Sequence, residues 1–169
     1  MKRIFLLFTL VSAITLSSCK NDDNYTYVDN DTISEVFQLT NLTFTPDANG
    51  IYSYLYPLTP RLHDADMVLV YKRVGTAQNN PVWQIIPQTI YLDNGDELDY
   101  NFDFDLNNIN LFMGSTFDLG MTPQFTMNQT FRIVIIPGYD NTAYRLDFSD
   151  YNTVMNHFNI QEKDVKMLN

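Results

Sequence analysis

Ten residues constrain the fold of this chain more than any others. From Glu97 to Leu106 apolar and polar side chains alternate without a break, with Leu98, Tyr100, Phe102, Phe104 and Leu106 in one set and Glu97, Asp99, Asn101, Asp103 and Asp105 in the other. A helix would scatter both sets around its axis. A β-strand, whose successive side chains point to opposite faces, sorts them onto a dry face and a wet one. The strand follows Asp93-Asn94-Gly95-Asp96, a tight hairpin turn in which Asn and Gly accept positive φ at little cost.

The same period recurs from Ile33 onward. Phe37, Leu39, Leu42 and Phe44 indicate one long or bulged strand, which Asp47-Ala48-Asn49-Gly50 turns into a second strand over Ile51 to Leu58, so that 35–58 reads as a hairpin. Met67 to Tyr71 is continuously apolar, the mark of a strand covered on both faces. Val82 to Leu92 reads as a strand with an edge position or bulge at Pro87, which lacks a ladder donor. Ile109 to Met113 and Phe131 to Ile136 complete the set. Only near the C-terminus does the period change: Tyr151, Val154, Met155 and Phe158 form one helical stripe, with Ser149 as the expected cap. Asp164 to Met167 reads as a short edge strand. The expected architecture is all-β, an antiparallel sandwich or partly open barrel of about seven strands, with one short helix packed on it.

The start of the chain has another character. Lys2 and Arg3 precede 13 mostly apolar residues, Ile4 to Leu16, too short for the ~20 that a spanning helix needs. This reads as a secretory signal over 1–18. It ends in Leu16-Ser17-Ser18-Cys19, which resembles the lipobox of bacterial lipoproteins, with cleavage between Ser18 and Cys19 and acylation of the new N-terminal cysteine. Two or more acyl chains anchor a protein stably to a bilayer without its crossing it. Residues 19–32 read as the lipidated Cys and a flexible acidic tether, and 33–169 as one domain. Lys20-Asn21-Asp22-Asp23 resembles the export signal that sends lipoproteins of the Bacteroidota to the outer surface of the outer membrane. A periplasm-facing position is the alternative. Asp31-Thr32-Ile33 resembles the O-glycosylation acceptor of the same bacteria, with Thr32 the modified residue.

Without residues 1–18 the chain carries 8 basic and 20 acidic side chains, a net charge of −12. That balance argues against nucleic acid as a partner, because such binding rests on Lys and Arg displacing counterions from phosphates. A single cysteine, Cys19, allows no internal disulfide and no cysteine-rich metal site. The acids spaced two apart along 97–105 are poor Ca²⁺ ligands, since same-face neighbours lie ~6.6 Å apart on a strand whereas ligands converge to about 2.3–2.6 Å from one ion. They read as a solvated face whose like charges discourage edge-to-edge pairing. The turn at Asp93, Asn94 and Asp96 is the better candidate for an ion. Among 24 aromatic residues, Tyr52, Tyr54 and Tyr56 share one strand face and Trp83 adjoins a polar loop. These four are the candidates for stacking on a ligand such as a sugar, against the plainer reading that they build the core. His63 and His157 are the only side chains with an ordinary pKa near neutrality, and neither sits in a recognisable catalytic motif.

The stretches MVLVYKRVG, VWQIIPQTIYLDNGDELDYNFDF, NQTFRIVIIPG and DYNTVMNHFNIQEKDVKML are similar to a group of small lipoproteins from flavobacteria and their relatives. The resemblance covers roughly 35–168. Relatives often carry a collagen-like run after the lipidated Cys, whereas this chain has no Gly before Gly50. The group has no established activity. Some members bear the label dihydrolipoamide dehydrogenase, which the residues here do not fit: that enzyme needs a dinucleotide fingerprint and a redox cysteine pair.

Together these readings lead to the expectation of a lipid-anchored binding or envelope-structural module, not an enzyme and without a cofactor, whose partners are the membrane and a glycan or surface protein. A hydrolase using paired carboxylates and an accessory subunit of a surface complex are the alternatives.

Overall fold

The computed structural model describes residues 34–138 and 145–168. Cys19, Ser18 and Thr32 lie outside the described residues. Among the described residues, ten strands form two five-stranded sheets. The strands are β1 (Glu35–Leu42), β2 (Thr45–Pro46), β3 (Tyr52–Pro57), β4 (Met67–Ala77), β5 (Asn80–Ile86), β6 (Gln88–Tyr91), β7 (Glu97–Phe104), β8 (Asn108–Ser115), β9 (Gln129–Ile136) and β10 (Lys166–Leu168). A helical turn, α1 (Pro123–Thr126), precedes β9, and the C-terminal helix is α2 (Tyr151–His157). Sheet one runs β10-β1-β9-β4-β5 and sheet two β2-β3-β8-β7-β6. The protein is a β-sandwich carrying a short C-terminal helix.

The strand count exceeds seven because two stretches that read as single strands each serve both sheets, and because the C-terminal edge strand, β10, adds a tenth. Leu42 and Phe44 are both buried, so the apolar pattern runs on past the corner. The β1 ladder is irregular between Leu39 and Leu42, where Asn41 takes φ 55°, and the chain then leaves sheet one to become β2 of sheet two. The stretch 35–58 is therefore not one hairpin, and only β2 and β3 pair around the turn at Gly50. At Pro87, which offers no N–H to either ladder, β5 of sheet one gives way to β6 of sheet two. Pairing is antiparallel except between β1 and β10, which run parallel.

Sheet one is covered on both faces. Between the sheets, Phe37, Val68, Val70, Phe131 and Ile133 meet Leu98, Tyr100, Ile109 and Leu111. On its other face Val36, Leu69, Tyr71 and Val134 pack under Tyr151, Val154 and Met155 of α2. Double coverage is the reason that β4 and β9 read as continuous apolar runs. The helix cap is Asp150 rather than Ser149: its carboxylate accepts from the backbone N–H of Asn152 and Thr153 at 3.0 and 3.2 Å, while the Ser149 hydroxyl donates to Asp147.

Arg132 ties the C-terminal segment to β9. Its guanidinium is buried, lies 4.3 Å above the Trp83 ring, and donates to Glu162 through two 2.8 Å bonds as well as to Gln38 and the Tyr151 hydroxyl. Burial works against the charge, but Glu162 and Tyr151 more than offset it, so the arginine pKa stands above its ordinary value.

Candidate functional site

The hairpin turn before β7 closes in two hydrogen bonds, Leu92 N–H to Asp96 O at 2.8 Å and Gly95 N–H to Leu92 O at 2.9 Å, with Gly95 at φ 86°. Its carboxylate is already engaged: Asp96 accepts from the Thr116 hydroxyl at 3.0 Å and from the Asn94 amide, whose own oxygen takes the Asp96 N–H. Asp93 is exposed beside them. Among the described residues no group of three or more His, Cys, Asp or Glu converges as an ion would require. The turn is built as a hairpin lock, and its geometry gives the ion-binding reading no support.

The stacking candidates point inward. Tyr52, Tyr54 and Tyr56 do share a face of β3, but that face is packed against the inter-sheet core, and the Tyr56 ring lies 5.2 Å from that of Phe37. Trp83 is 9% exposed, held between Arg132 and the Tyr151 ring. Its rim reaches an open hollow of about 290 Å³ with Pro81, Asp150 and Asn152. A second cleft, of about 150 Å³, opens at the end of the sandwich between Tyr56, Arg61, His63 and Lys166. Both are smaller than the 300–1,000 Å³ of an ordinary small-molecule pocket. In the second, Lys166 is paired with Glu35 at 2.7 Å and the Asp66 carboxylate accepts the His63 N–H at 2.8 Å.

Several of the acids among the described residues serve turns. Asp47 and Asp105 accept backbone N–H groups of the loops that follow them, foremost Ile51 and Asn107, while Asp147 takes the Ser149 hydroxyl and Asp150 that of Thr153. These bonds hold all four carboxyls below the ordinary aspartate range. A polymer hydrolase needs the opposite, a cleft carboxyl with its pKa raised.

The outer face of sheet two is different. β8 is its middle strand and β7 lies between β8 and β6. The register sets Phe112 between Asn101 of β7 and Ser53 of β3, and places Asn110 between Asp103 and Leu55 in the next row. Phe112 belongs to neither core cluster, and Leu55 is 60% exposed. Gly114 follows Phe112 on the same face and leaves a gap in which a Cβ would stand 3.3 Å from the Asp99 carboxylate. Asp99 also accepts from the Thr89 hydroxyl of β6 at 2.6 Å. Among the described residues no hydrogen bond engages the side chains of Asn101, Asp103 or Asn110. They stand in mid-strand, where Asn and Asp are disfavoured. β6 pairs with β7 only over Glu97 to Tyr100, so on that side the ladder is open at Asn101 and Asp103, where the edge-shielding expected of the acids still applies to Asp103, whereas Asn110 and Phe112 of β8 are paired on both sides. The sequence reading missed Phe112 and Asn110. Their signal was present in Asn108-Ile109-Asn110-Leu111-Phe112-Met113-Gly114, where the set opposite the core residues holds two amides, a ring and a glycine.

Comparison with protein-family models, curated proteins and solved structures returns no match.

Proposed function

We propose that this chain is a tethered binding module of the bacterial outer membrane surface, held by acyl chains on Cys19, whose working surface is the open face of sheet two. One observation carries the reading. Phe112 and Asn110 lie on the middle strand of the sheet with Asn101 and Asp103 beside them on β7, all four lie outside both cores, and among the described residues no side-chain hydrogen bond engages the three polar ones. Unengaged polar side chains gathered around one ring are what a recognition surface requires. The lipobox-like Leu16-Ser17-Ser18-Cys19 supports the anchor, and the acidic stretch to Thr32 supports a tether long enough to present the domain away from the bilayer.

Two measurements test this. Cells fed a labelled palmitate analogue should label the wild-type chain and not Cys19→Ser, and protease added to intact cells should digest the anchored domain. The full chain, purified in detergent, should co-sediment with cell-envelope fractions, and the combined replacement of Asn101, Asn110 and Phe112 by Ala should abolish co-sedimentation. Labelling that persists in Cys19→Ser would remove the anchor. Co-sedimentation indifferent to the triple replacement would remove the binding face.

A further inference from the structure

We infer that the open face of sheet two takes a neutral polysaccharide chain lying flat across β7 and β8, with a sugar ring stacked on Phe112. The inference rests on the binding-module reading above and names its ligand class.

The chemistry of the face excludes other occupants in turn. The polar groups around the ring are the amides of Asn101 and Asn110, each both donor and acceptor, and the carboxylates of Asp99 and Asp103, acceptors only. No Lys or Arg points outward from β7 or β8, so an anionic polymer meets only repulsion. An apolar protein surface would bury Asn101, Asn110 and Asp103 without partners and leave Asp99 only its bond from Thr89, at a desolvation cost for each. A metal ion finds no converging set of three ligands among the described residues. A polyol matches what is there. Its hydroxyls donate to the carboxylates and both give and take with the amides, while the C–H face of a pyranose ring is apolar and flat, as the face of a phenyl ring is.

The shape agrees. Phe112 and Gly114 are successive on the same face of the middle strand, so on one side the ring borders a notch with no side chain, floored by the leaning Asp99 carboxylate. A flat ligand can lie over the ring and extend along β8 without meeting a side chain at position 114. The two rows, Asn101 with Phe112 and Asp103 with Asn110, are one side-chain repeat apart on adjacent strands, so the hydrogen-bonding groups flank the ring instead of standing in front of it.

The test uses the full chain in detergent, run in native gels cast with single polysaccharides: a β-glucan, a mannan and a xylan as neutral probes, a polyuronate and heparin as anionic ones. At least one neutral polymer should retard the wild type and neither anionic polymer should. Phe112→Ala, Gly114→Val and the pair Asn101→Ala with Asn110→Ala should each weaken retardation at least about tenfold, whereas Ile51→Ser, on the exposed β2–β3 turn, should leave it unchanged. The Asn pair makes no bond within the fold, so it keeps the test valid if Phe112→Ala lowers stability. Retardation only by anionic polymers, or retardation untouched by the Asn pair, overturns the inference. If the chain still co-sediments with envelope fractions but no neutral polymer retards it, the ligand class falls and the binding-module reading stands. If it does neither, both fall.

Discussion

Replacing Arg132 by Met tests how the C-terminal segment is held. The guanidinium side chain is 3% exposed, and Met is long enough to fill most of its hydrocarbon volume, so the main losses are polar. Gln38 and Tyr151, 8% and 9% exposed, each lose their partner, at about 1–3 kcal/mol apiece. The stack on Trp83 contributes about 0.5–2 kcal/mol more. Against this, the substitution relieves a buried charge whose Nε has no partner. The balance is a destabilisation of about 2–4 kcal/mol. Glu162→Gln should behave otherwise. The Glu162 side chain is 70% exposed, so the ion pair is largely screened and its loss should be about 1 kcal/mol or less. Trp83 is the only tryptophan in the chain and lies directly under Arg132, so guanidinium chloride titrations followed by its fluorescence report on this contact. Arg132→Met should also alter the native emission spectrum. Equal losses for the two variants, or a loss under 1 kcal/mol for Arg132→Met, would refute the argument that buried hydrogen bonds and stacking, not the ion pair, hold the segment.

Other consequences concern charge and backbone. Lys72 is 8% exposed, 4.6 Å from the Tyr100 ring centre, and burial pulls its pKa below that of the unfolded chain. Between those two pKa values the unfolded state binds more protons, so stability should rise as pH is raised through the folded pKa towards 10.5. Lys72→Met should remove that rise and move the pH 7 denaturation midpoint by about 0–2 kcal/mol in the stabilising direction. For Asp47, Asp105, Asp147 and Asp150 the folded pKa lies below the unfolded one, so their contribution is present above pH 4 and is lost as pH falls through the folded values. Denaturation midpoints between pH 7 and pH 2 should therefore fall only in the acid range, and Asp150→Ala should loosen α2 in hydrogen exchange where Ser149→Ala does not. A Cβ at Gly95 meets nothing within 4 Å, so Gly95→Ala should cost only the strain of positive φ, about 1–2 kcal/mol by thermal denaturation. At Gly138 a Cβ would stand 2.3 Å from the Ala65 carbonyl oxygen, so Gly138→Ala should cost more.

What was legible in the sequence follows from what each strand touches. β7 has one face on the core and one in the open, so its alternation was unbroken, and β4 and β9 are covered twice, so theirs was absent. The corner after β1 was hidden because Leu42, at the end of β1, and Phe44, in the link before β2, are both buried. Period two assigned Tyr52, Tyr54 and Tyr56 to one face but not to the inner one. That sign is set by β8, which turns Leu55 outward opposite Asn110. The role of Arg132 within Phe-Arg-Ile-Val-Ile-Ile was not legible because its partners, Gln38 and Glu162, are 94 and 30 residues away. Where the acids of 97–105 border an edge likewise depended on the strand pairing, since β6 covers β7 only as far as Tyr100.

The strand order also shows how the terminal strands of each sheet are protected. A sheet edge exposes unpaired backbone groups and must be shielded against adding another strand. In sheet one the edges are β10, three residues long and carrying Lys166, and β5, which carries Pro81. In sheet two they are β2, two residues ending in Pro46, and β6, four residues following Pro87. Each edge has its own safeguard in shortness, proline or charge. Asn110 therefore stands on a strand paired on both sides, where edge defence does not call for it, while Asp103 lies on a stretch of β7 beyond the reach of β6. An amide kept at a propensity cost in the middle of a sheet is the ground on which a binding face is proposed there.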